Sequence, residues 1–273
     1  MLDIQVRYRP ISWVPFTRKT ISNIPQNWGD VTQKQLIAIA CIYKSAISDF
    51  DFLKSMSGLN KRVLNRLSDY EHYKLMEIFE FVGEQKPYHE FIIRKLTIYE
   101  KGLMLYRKTL FAPAGKLKGI TFGQFIFADT YFSNYQQSGD EPDLNKFIAS
   151  LYLGKNEKFE EHLIQERFEP IGKLDMSIRQ SIVLNYLLIH EWLALAYPLI
   201  FQKREELAST SSASEAAMSP RTEPVEGNSW IKVFQNFVGD DIIHDEVWAA
   251  KPVNTIFAYM TRKYKENART RNK

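Results

Sequence analysis

Three times the chain repeats one local device: a Ser or Thr, then Glu or Gln three residues later, with apolar residues at spacings of three and four behind it. Thr32 with Gln35, Ser68 with Glu71 and Thr121 with Gln124 all have this form. In such a capping box the hydroxyl accepts from an orphan N–H of the first helical turn, and the Glu or Gln side chain accepts from the capping residue's own N–H. Behind Thr32, the residues Leu36, Ile39, Ala40 and Tyr43 form one stripe. Ser48 can cap a further helix that Gly58 ends, and behind Ser68 the face is Tyr73, Met76, Phe79 and Val82. Stripes of this kind must be buried against one another, so the predicted fold class is mainly α: an irregular multi-helix bundle.

Two short stretches read otherwise. Ile4, Val6 and Tyr8 alternate with Gln5, Arg7 and Arg9 as far as Pro10, which predicts a short N-terminal strand within an extended arm over residues 1–29. Between Arg94 and Leu110, alternation in Leu96 and Ile98 and again in Leu103 and Leu105, with Gly102 between, predicts one small hairpin.

The third capping box opens a stretch with six aromatic side chains in residues 122–135. Phe125, Ala128, Phe132 and Tyr135 recur as a core stripe. Phe127 and Tyr131, i and i+4 on an adjoining strip, remain as candidates to meet a partner. LNKFIASLY then resumes a helix through Leu144, Phe147, Ile148 and Leu151. Residues 182–201, IVLNYLLIHEWLALAYPLIF, have the length of a membrane span, but Asn185, His190, Glu191 and Pro198 interrupt them. An acid near a span's centre costs about 2.5–3.5 kcal/mol, so the stretch reads as an enclosed helix from Asp175 or Ser177 to about Phe201, with no membrane partner.

Residues 206–227 are Ser, Ala, Pro and Glu with almost no large apolar side chain, and cannot repay the entropy of ordering. The predicted organisation is therefore an arm (1–29), a helical body (30–203), a flexible linker (204–228) and a C-terminal helical hairpin with a basic tail (229–273). In that hairpin Trp230, Phe234 and Phe237 share a face, which docks a partner if the hairpin is free and docks on the body if it is not. Ile256, Tyr259 and Met260 form the second face.

Composition bounds the function. Of a net charge of +4, residues 262–273 alone carry +5, so the rest is nearly neutral and the basic excess sits on what reads as a frayed tail able to touch an anionic partner. The single cysteine, Cys41, lies on the first core stripe and closes no intramolecular disulfide, which suits a reducing compartment. Asp3 and Arg7 stand where a signal peptide needs an apolar run.

Reactive constellations are scarce. His190–Glu191 lacks the second histidine of a zinc helix. Residues 239–246, with Asp240, Asp241, His244, Asp245 and Glu246, lack the spacing of a calcium loop, and PAGKLKG (113–119) reads as a turn. The expectation is a protein with no catalytic activity, no cofactor and no metal. Basic residues beside aromatics in residues 61–66 and 92–108 keep a nucleic-acid-binding accessory protein as the first rival reading, and a metal-dependent hydrolase on the acidic and histidine groups as the second.

Taken in order, NIPQNWGDVTQKQL, TFGQFIFADTYFSNY with LNKFIASLY, IVLNYLLIHEWLALAYPLIF and SWIKVFQNFVGDD resemble, over about half the chain, proteins from the tail-gene modules of tailed phages and prophages of Bacteroidetes-type bacteria. The resemblance implies a minor structural or chaperone-like tail-assembly protein. Its partners would be other tail or assembly proteins or further copies of itself, in the bacterial cytoplasm or the virion.

Overall fold

The computed structural model describes residues 1–10, 13, 15–84, 86–100, 106–201, 230 and 245–271. The predicted linker at 204–228, the candidates Phe234 and Phe237, and the acidic cluster apart from Asp245 and Glu246 lie outside them. The chain is mainly α, with two small antiparallel two-stranded sheets. The described residues fall into two compact units: Met1–Tyr88 with Asp175–Glu191, and His89–Leu174 with Trp192–Lys273.

In the first unit, β1 (Leu2–Tyr8) pairs antiparallel with β2 (Arg18–Ile24), from Leu2 opposite Ile24 to Tyr8 opposite Arg18. Then come α1 (Gln33–Tyr43), α2 (Asp49–Ser57), the single-turn α3 (Lys61–Leu64) and α4 (Asp69–Ile78). Both predicted capping boxes are complete at α1 and α4, and Ser48 caps α2, which Gly58 ends at φ 65°. That left-handed conformation carries a steric cost for every residue with a Cβ. Leu36, Ile39, Phe52, Met56, Leu64 and Phe79 form the core, with Phe52 edge-on to Phe79. Gln35, a capping residue by sequence, also sends its amide to the Met56 carbonyl at 2.8 Å, satisfying an orphan acceptor at the end of α2.

Two predicted stripes need correcting. Tyr43 and Tyr73 are both exposed, and Cys41 is only half buried. Tyr43 leaves the core because its hydroxyl donates to the Val82 carbonyl at 2.6 Å, which holds the ring at the surface. Of the predicted face behind Ser68, Phe79 and Val82, just past the end of α4, are buried and Met76 is half buried, whereas Tyr73 points outward and Leu75 is the buried residue within the helix.

The second unit holds a hairpin where one is predicted, β3 (Lys95–Glu100) with β4 (Tyr106–Phe111), whose last residue bridges to Leu153; the predicted turn at Gly102 and the alternation at Leu103 and Leu105 lie outside the described residues. Its helices are α5 (Phe122–Ser138), α6 (Glu141–Leu151), α7 (His162–Gly172), α9 (Asp245–Ala249) and α10 (Val253–Arg271). Helix α8 (Met176–Ala196) counts with the first unit through Glu191. It ends at Ala196, short of the predicted Phe201, because Pro198 has no N–H to continue the ladder; after the bend at Tyr197, residues 198–201 form a separate helical turn. Among the described residues no helix is long and apolar enough to cross a membrane. The predicted frayed tail is instead helical as far as Arg271.

Candidate interaction surfaces

The aromatic stretch of α5 goes mostly to core. Phe125, Ala128, Phe132 and Tyr135 are buried as the periodicity predicts. Phe125 meets Phe257 of α10 at 5.2 Å between centroids with the planes at 90°, and Trp230 at 5.1 Å. Phe201 lies 5.5 Å from Trp230 and 5.9 Å from Phe257. Edge-to-face pairs like these add about 0.5–1.5 kcal/mol each beyond the area they bury. Trp230 is fully buried among them, and its indole N–H donates to the Asp129 carboxylate at 2.5 Å. As a partner-binding candidate it is therefore corrected: in this arrangement its whole side chain is spent inside the second unit.

Thr121 caps α5 as predicted, but the box is only half built. The amide of Gln124 turns inward and donates to the Ser150 carbonyl at 2.9 Å, near the end of α6, where that group has no helical donor.

Phe127 and Tyr131 do form a half-exposed strip, with ring centroids 6.4 Å apart. Phe159 lies 5.5 Å from Phe127, and the Lys146 ammonium 5.3 Å from the Tyr131 ring. Burial first, and then the charges of Glu161 and Asp143, push the Tyr131 hydroxyl above its ordinary pKa. The chain itself thus covers part of the strip left for a partner.

Beside it is a polar network that periodicity could not reveal. Arg167 of α7 is fully buried, donates through Nη1 to the Tyr152 carbonyl at 2.9 Å, and pairs through Nη2 with Glu157. Glu157 also accepts from the Gly154 N–H and lies 3.7 Å from the Lys108 ammonium. Burial alone would raise the Glu157 pKa, but the Gly154 N–H, the Arg167 guanidinium and Lys108 outweigh it and hold the carboxyl below its usual value. Tyr152 completes the network, its hydroxyl donating to the Ile93 carbonyl at 2.7 Å. The carboxylate and the guanidinium are both engaged within the fold, so the cluster braces α6, α7 and the hairpin.

His190 is half buried, its ring 6.1 Å from that of Tyr186, and Glu191 is exposed. Among the described residues no group of three or more His, Cys, Asp or Glu could hold a metal ion. Residues 115–117 form a tight turn, with Lys116 and Leu117 at φ 60° and 54°.

Several large exposed apolar groups lie where the sequence predicts one strand within an extended arm. Trp13 is 84% exposed, Phe16 63% and Ile21 70%, all on or next to the β1–β2 ribbon. Around them Arg7, Arg9, Arg18 and Lys19 are exposed, and Arg7 stands directly opposite Lys19 in the register. Like charges directly opposed across two strands repel. The signal that could have found the second strand is the weaker alternation Thr20, Ser22, Ile24. No family model, curated protein or solved structure matches the chain.

Proposed function

We propose that the protein is a non-enzymatic binding and assembly factor, a tail-associated component of a tailed phage or prophage, that engages another protein of the same assembly through its N-terminal ribbon. The observation that carries this reading is the ribbon itself. A two-stranded sheet by itself is marginal in water; this one is tied to the first unit at its β2 end by the buried Ile24 and by the Ser22 hydroxyl donating to the Ser57 carbonyl, and among the described residues no third strand pairs with it. Trp13, Phe16 and Ile21 give such a ribbon apolar anchors, and Arg7 opposite Lys19 gives it a repulsion that an acidic partner relieves. The partner that fits is an extended segment with carboxylates beside apolar residues, from a neighbouring tail or assembly protein. Burying each large side chain in that contact contributes about 1.5–3 kcal/mol.

The test is co-expression of the chain with the products of adjacent tail genes. The reading predicts that one of them co-purifies, stays soluble only with the chain, and is lost from the double variant Trp13→Ser/Phe16→Ser, while the far-UV circular dichroism of that variant is unchanged. Capture that survives the double variant, or no complex with any of the products, refutes it.

A further inference from the structure

The last fully buried side chain of helix α10 is Met260, Tyr264 one turn on is half buried, and the helix then continues to Arg271. Residues 265–270 are all exposed. A run of polar helix this long, with no apolar face to bury, draws little stability from its own sequence. Its charge has a pattern: Arg262, Lys265 and Arg269 follow at i, i+3 and i+7, on the line opposite the buried Val253, Ile256 and Met260. Among the described residues no carboxylate forms an ion pair with any of these three.

The helix dipole favours cations, but only within the last turn. It accounts for Arg269 and leaves Lys265 and Arg262, about one and two turns earlier, without that explanation. The near end of the stripe is held in place from below. Trp248 of α9 stacks on Tyr259 at 5.4 Å and 29°, Lys251 sits 4.1 Å over Trp248, and Arg262 and Lys263 lie 5.4 and 5.7 Å from the Tyr259 ring. These rings are occupied by each other and by cations, so they orient charge and offer no free face for stacking a base.

We propose that this stripe of α10 binds the phosphate backbone of double-stranded nucleic acid without reading its sequence. Arg262 to Arg269 spans about 10 Å of helix axis, a length over which a duplex presents roughly six phosphate charges. An α-helix lying along such a backbone brings Arg262, Lys265 and Arg269 to the phosphates together, and the exposed Glu266 beside them is the one opposing charge on that face. The charge complementarity favours a polyanion, and the absence of an apolar side on this part of the helix argues against a lipid surface, which takes up an amphipathic helix through its apolar face.

The experiment is fluorescence anisotropy of a labelled random-sequence 20-base-pair duplex, titrated with the full chain between 50 and 200 mM salt. Three phosphate contacts predict a slope of log K against log salt of about −2.7, or a fall in affinity of about 40-fold over that range. Arg262→Gln, Lys265→Gln and Arg269→Gln, which keep helix propensity, each reduce the slope by about 0.9, and Glu266→Gln tightens binding. Far-UV circular dichroism checks that each variant keeps its helix. No binding at 50 mM salt, an unchanged slope in the triple variant, or tighter binding to phosphatidylglycerol vesicles than to the duplex overturns the proposal. The tail-assembly reading stands or falls separately, because its variants lie on the ribbon.

Discussion

Replacing Arg167 by Met removes a fully buried charge and leaves its partner Glu157 in place. The guanidinium is fully buried, its Nε has no hydrogen-bond partner, and its two terminal nitrogens hold the Tyr152 carbonyl and the Glu157 carboxylate. Breaking a buried pair from one side costs about 3–5 kcal/mol, because the remaining charge is stranded. Here the acid is 24% exposed and keeps the Gly154 N–H and Lys108, so water and these groups absorb part of the loss. The expected destabilisation is therefore about 2–3 kcal/mol, or about 4–12 °C in melting temperature for a unit of this size. Neutralising the stranded acid as well, in Arg167→Met/Glu157→Gln, should recover about 1 kcal/mol of that.

The assay is urea denaturation of the three proteins followed by circular dichroism. A single variant within about 0.5 kcal/mol of wild type, or a double variant less stable than the single, refutes the account. Proton linkage gives an independent check. The folded Glu157 carboxyl lies below its ordinary value of 4.5, so its contribution is fully present above that value and is lost as pH falls through the folded pKa. The stability advantage of wild type over Glu157→Gln should accordingly hold at neutral pH and shrink on acidification below about 4.5.

The aromatic cluster and the helix ends yield further tests. Trp230→Ala should destabilise by about 3–5 kcal/mol and Trp230→Phe by clearly less, read in the same denaturation experiment; an Ala variant as stable as wild type would remove Trp230 from the core. Gln124→Ala leaves the Ser150 carbonyl without its donor and should cost about 1–3 kcal/mol, against roughly 1 kcal/mol for the exposed cap in Ser68→Ala. Equal losses at the two positions would show that burial of the Gln124 amide contributes nothing.

How much of this was legible follows from the range over which each signal acts. Capping boxes and glycine stops are local, and they placed the starts of α1, α2, α4 and α5 and the end of α2. Periodicity finds a stripe but is ambiguous where an amphipathic side chain lies on its edge, as Tyr43 and Tyr73 do: a ring with a hydroxyl is stable facing water as well as facing core. Strand β2, RKTISNI, has too few apolar residues to declare itself, and only the register with β1 gives it a face. Arg167 was illegible for a different reason. A charged residue on an amphipathic helix reads as solvated, and its burial depends on an acid ten residues upstream and a carbonyl fifteen upstream, neither of which has a fixed spacing.

Of the surfaces, Phe127 and Tyr131 were found by spacing, but the Phe159 that covers part of them was not. Trp230 was read by its helix face, which cannot tell an interface from a core. The ribbon's Trp13, Phe16 and Ile21 are notable only once the strands pair and leave them outside.

The claim on which the functional reading rests is that the ribbon is where a partner protein docks. Amide hydrogen exchange, followed by mass spectrometry on the free chain and on its complex with the co-purifying tail protein, tests this at the residues concerned. The account predicts new protection in 2–8 and 18–24, strongest along one outer edge, with the amides of α5 and α6 unchanged. Protection that appears elsewhere while those two strands exchange as fast as in the free chain would contradict it.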